Sequence, residues 1–100
     1  MRANLELTSS LGRTTWEGHE HDVFATAHAA YDPPSGTLTV TLDSYLRSEV
    51  LAHLEQKIVP PWLPPAQVDR EHVSAEEASE LAKEVFHRWC ARVQQQIPGR

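Results

Sequence analysis

The sequence predicts an α+β fold: a small antiparallel sheet of about three strands with two helices packed on one face, in the order β-β-β-α-α. Three observations lead there. Thr37-Leu38-Thr39-Val40-Thr41-Leu42 alternates strictly, with Leu38, Val40 and Leu42 on one side and threonines on the other, as a half-buried strand does. Asp32-Pro33-Pro34-Ser35-Gly36, just before it, has the chemistry of a hairpin turn. Residues 74–97 carry a helical stripe (Ala78, Leu81, Ala82, Val85, Phe86, Trp89, Val93, Ile97), which a one-sided helix buries against another layer.

Taken in order, Asn4 to Thr8 places Leu5 and Leu7 on one side, a short first strand, and Ser9-Ser10-Leu11-Gly12 supplies turn residues after it. Trp16 opens a harder stretch in which Gly18 marks a bulge and His19-Glu20-His21-Asp22 follows. Between Val23 and Tyr31 two periods compete, since Val23, Ala25, Ala27, Ala29 and Tyr31 suit a strand while Val23, Phe24, Ala27 and Tyr31 suit a short helix capped by Asp22. The turn and strand that follow favour the strand, so Phe24–Tyr31 is read as the first arm of the hairpin. From residue 44 the spacing of Leu46, Val50, Leu54 and Ile58 reads as a helix over 44–59, ended by Pro60 and Pro61. A Pro-rich connector over 60–73 contains Pro60-Pro61-Trp62-Leu63-Pro64-Pro65 and then Gln67 to Val73 as loop or a brief extended piece. Ser74 and Glu77 form a capping box for the last helix, Glu84 and Arg88 are a favourable pair on it, and Pro98-Gly99 stops it. The sheet thus occupies 1–43, and 1–100 forms one domain without internal repeat.

Composition narrows the functions. A formal charge of −5, with the nine Lys and Arg scattered singly, argues against a nucleic-acid backbone binder and suits a basic partner or none. One cysteine, Cys90, rules out an intramolecular disulfide. No apolar run approaches spanning length and the first residues lack the core of a secretory signal, so no membrane partner and a cytoplasmic location are expected.

Candidate chemistry is sparse. On a strand His19 and His21 share a face and could both reach one Zn²⁺, but Asp22 follows the second His directly, departing from the His-x-His-x-Asp-His signature of metallo-β-lactamase-like hydrolases. His28 falls on the opposite face. His87 and Cys90 are neighbours on the last helix, yet nothing supplies the oxyanion site a thiol nucleophile needs, and Cys90 reads as a small hydrophobe. Glu76, Glu77, Glu80 and Glu84 form an acidic solvent face, and no phosphate loop, dinucleotide fingerprint or serine elbow is present. Neither a catalytic constellation nor a cofactor is therefore expected. Three tryptophans exceed what so small a core readily encloses, which points to a contact patch formed by Trp16, Trp62 and Leu63. The resulting expectation is a non-enzymatic interaction module, a homodimer or an acidic adaptor or inhibitor. Metal binding through His19 and His21 is the alternative.

Overall fold

The computed structural model describes residues 3–48 and 64–97. Within them lie β1 (Ala3–Trp16), β2 (His19–Asp32), β3 (Thr37–Ser48), β4 (Ala66–Arg70) and α1 (Ala75–Gln96). The strands form one antiparallel sheet in the order β1-β2-β3-β4, and α1 lies across β1, β2 and β3. The α+β class holds, with four strands rather than three and one helix among the described residues rather than two.

Alternation decides which face is buried. Rows run across the sheet beneath α1: Leu5, Ala29, Val40 and Val68 in one, Leu7, Ala27, Leu42 and Ala66 in the next. Val23, Ala25, Ala27, Ala29 and Tyr31 of β2 and Leu38, Val40, Leu42 and Leu46 of β3 are all buried. From above, α1 contributes Ala78, Ala82, Val85, Phe86, Trp89 and Val93. The small alanines of β2 are the short side chains of this face, and α1 sets Val85, Phe86, Trp89 and Val93 on the other side of the core. Burying one leucine or phenylalanine in this way is worth roughly 1.5–3 kcal/mol.

Several boundaries differ from expectation. The first strand reaches Trp16 because Ser9–Gly12 is not a turn: the register with β2 shifts between Ser10 and Arg13, a bulge that uses Gly12 at φ 103°. Gly18, expected to mark a bulge, instead sits in the β1–β2 turn, where Glu17 and Gly18 both have positive φ (50° and 81°) as a two-residue hairpin loop requires. The stretch from Val23 to Tyr31 is strand throughout, and the hairpin at Asp32–Gly36 forms with Gly36 at φ 69°. The helix expected from residue 44 is corrected at its start. Ser44 to Ser48 continue β3, pairing with β2 as far as His21, because Ser44 and Leu46 extend the buried alternation of Leu38, Val40 and Leu42. The rest of that expected helix, Val50, Leu54 and Ile58 included, lies outside the described residues. Within the expected connector, Pro64 and Pro65 are irregular and Ala66–Arg70 forms β4.

Three hydrogen bonds fasten α1 and its approach to the sheet. The Tyr31 hydroxyl donates to the Val73 carbonyl at 2.5 Å, while the Val73 amide donates to the Gly36 carbonyl at 2.9 Å. Further along, the Trp89 indole donates to the Asp43 carbonyl at 2.8 Å, one residue past Leu42, where the β3–β4 ladder ends. At its start α1 is capped by Ser74, whose hydroxyl accepts the Glu77 amide at 3.2 Å and lies 3.0 Å from the Glu77 carboxylate.

Candidate functional site

Strand β1 is an edge strand, with no further strand beside it among the described residues, so it presents a row of main-chain donors and acceptors. Its two halves are built differently. Beyond Ser10 the bulge, the charged cluster of Arg13 with Asp22 (3.2 Å) and Glu20 (3.6 Å), and the positive-φ turn guard the edge against another strand. From Ala3 to Ser10 there is neither bulge nor proline, and the single charge is Glu6, which lies 3.5 Å from His28. Leu5 and Leu7 are only half-buried there. Alongside Leu5 opens a mostly apolar groove of about 340 Å³, floored by Leu5, Ala29 and Leu38 and walled by Ala75, Ala78 and Ala82 of α1.

The face of the sheet away from α1 is the second exposed feature. Thr26, His28, Thr39 and Thr41 make it polar, as the alternation predicts. It also carries Phe24 stacked on Tyr45, with ring centroids 5.2 Å apart and planes 18° apart. The sequence does not reveal this aromatic pair, because a third strand ending at Leu42 leaves Tyr45 outside the sheet. Phe24 alone could have been placed on this face, since it alternates with Val23 and Ala25.

Trp16 is half-buried and packs against the core at the end of β1, while Trp62 and Leu63 lie outside the described residues. His19 is exposed and His21 is 4% exposed, so the two candidate ligands share a face of β2 but differ in their access to water. The His21 Nε2 lies 3.3 Å from the Trp16 carbonyl; since a carbonyl only accepts, this geometry selects the tautomer with its proton on Nε2. The Nδ1 of His21, the hydroxyl of Thr14 paired with it across β1–β2, and the buried Ser44 hydroxyl have no protein hydrogen-bond partner among the described residues. Among those residues no three His, Cys, Asp or Glu side chains converge as a metal site. Burial raises the Cys90 thiol above its ordinary range, the opposite of the shift that makes a cysteine nucleophilic. Among the described residues no helix is long and apolar enough to cross a membrane.

No protein-family model, no curated protein and no solved structure matches the chain.

Proposed function

We propose that this protein is a non-enzymatic interaction module that binds another polypeptide by adding a strand to the open half of β1. The observation that carries this reading is the contrast within one strand: beyond Ser10 the edge is guarded by bulge, charge and turn, while Ala3–Ser10 pairs in regular register, holds one charge and carries the half-buried Leu5 and Leu7. Strand addition draws its affinity from main-chain hydrogen bonds and its selectivity from alternate side chains, and both are on offer here. The adjoining groove adds apolar surface on the face where an incoming strand would place every second residue.

A photo-crosslinking amino acid tests this in the cell that makes the protein. Placed at Thr8, exposed on the open half of β1, it is expected to give a discrete adduct with a polypeptide; placed at Gln95, exposed on α1, it is expected to give none. Adducts at Gln95 with none at Thr8 would overturn the reading. The mass of the Thr8 adduct separates self from another chain.

A further inference from the structure

Resting on that reading, we infer that the strand received by β1 is β1 of a second copy, paired antiparallel about a two-fold axis at Leu7, so that two sheets join into one of eight strands. The register follows from the strand itself. An isologous pairing that keeps α1-side residues on the α1 side must place the axis on a residue, because side chains alternate with period two. The regular part of β1 runs from Ala3 to the bulge after Ser10, so an axis at Glu6 or at Leu7 uses it most fully. An axis at Glu6 sets that carboxylate against its own copy, and like charges directly opposed are destabilising.

At Leu7 the conflict disappears. Leu7 meets Leu7 of the second copy, Leu5 meets Ser9, Asn4 meets Ser10, and Glu6 meets Thr8, whose hydroxyl accepts or donates without penalty. Each match except Leu7 with Leu7, which sits on the axis, is made twice by symmetry. The half-exposure of Leu5 and Leu7 in the monomer is then the exposure of an interface residue, and the bulge marks where pairing stops. An axis at Thr8 would carry the pairing into the bulge, and one at Leu5 would shorten it.

This register makes a definite charge pattern between the two copies, and sedimentation equilibrium of the purified full chain reads it. Thr8 is exposed and pairs with Thr26, so substitution there leaves the core intact; circular dichroism of dilute protein confirms that each variant is folded. Thr8→Glu sets the introduced carboxylate against Glu6 of the other copy twice and is expected to weaken dimerisation on the order of tenfold. Thr8→Lys sets opposite charges together and is expected to leave it equal or tighter. Combining Glu6→Lys with Thr8→Glu is expected to restore the wild-type constant. Equal weakening by Thr8→Glu and Thr8→Lys, or no restoration in the double variant, would overturn the register. A monomer at all concentrations would overturn self-pairing, while a Thr8 crosslink to a different chain would leave the strand-addition reading standing.

Discussion

The backbone of Val73 is used on both sides, and a single methyl group tests that. Its amide donates to Gly36 and its carbonyl accepts from Tyr31, so neither can retreat without breaking a bond. A Cβ at Gly36 would lie 3.3 Å from that carbonyl oxygen, on a residue already at φ 69°. Gly18 has a similar backbone conformation, φ 81°, but open space around it. Gly18→Ala is therefore expected to cost about 1 kcal/mol from the left-handed backbone alone. Gly36→Ala is expected to cost about 2 kcal/mol or more, since the steric conflict adds to it. Urea denaturation of the two variants measures the difference, and equal losses would show that the Val73 contact gives way freely. The turn at Gly36 was legible from Asp32-Pro33-Pro34-Ser35-Gly36, whereas its docking onto Val73 was not, because a contact between distant segments leaves no local pattern.

Between elements, the junction of α1 with β3 depends on one indole. Trp89 is buried, covers the core, and satisfies the Asp43 carbonyl beyond the end of the β3–β4 ladder. Trp89→Phe keeps most of the apolar burial and removes the donor, so a loss of about 1–2 kcal/mol is expected. Trp89→Ala removes the ring as well and is expected to cost about 3–5 kcal/mol. Thermal melts that rank the two equally would assign the whole effect to the hydrogen bond. The start and the buried face of α1 could be read from sequence, because its cap, its stripe and its acidic first turn agree, while the expected stop at Pro98-Gly99 lies outside the described residues. The stretch after Leu42 could not. Residues spaced by four, such as Leu42 and Leu46, satisfy a helical period and a strand period alike, and only pairing with β2 decides between them. That ambiguity hid the Phe24–Tyr45 pair. It also hid how long the strands are, and so how long an edge β1 presents.

For the whole molecule, charge and interface act at different ranges. Each copy carries a formal −5, so two copies repel at a distance, while the strand proposed to join them holds one charge between Ala3 and Leu11. The repulsion is long-range and is screened as the Debye length falls from about 30 Å at 0.01 M salt to about 8 Å at 0.15 M. Self-association is therefore expected to tighten severalfold over that interval, read as a shift in the sedimentation midpoint. A basic partner on the same edge would give the reverse sign, since its attraction would be screened instead. The Thr8→Glu defect separates the two ranges further. Its opposed carboxylates stand on directly facing cross-strand positions, well inside a Debye length, so 0.15 M salt is expected to relieve the general repulsion while leaving much of that defect in place. If salt instead abolished the defect while tightening wild type equally, the introduced carboxylate would be acting through net charge and not by facing Glu6. The sign of the global term is readable from composition alone, but which edge is open, and where along β1 it closes, depends on a bulge that the sequence presents as a turn.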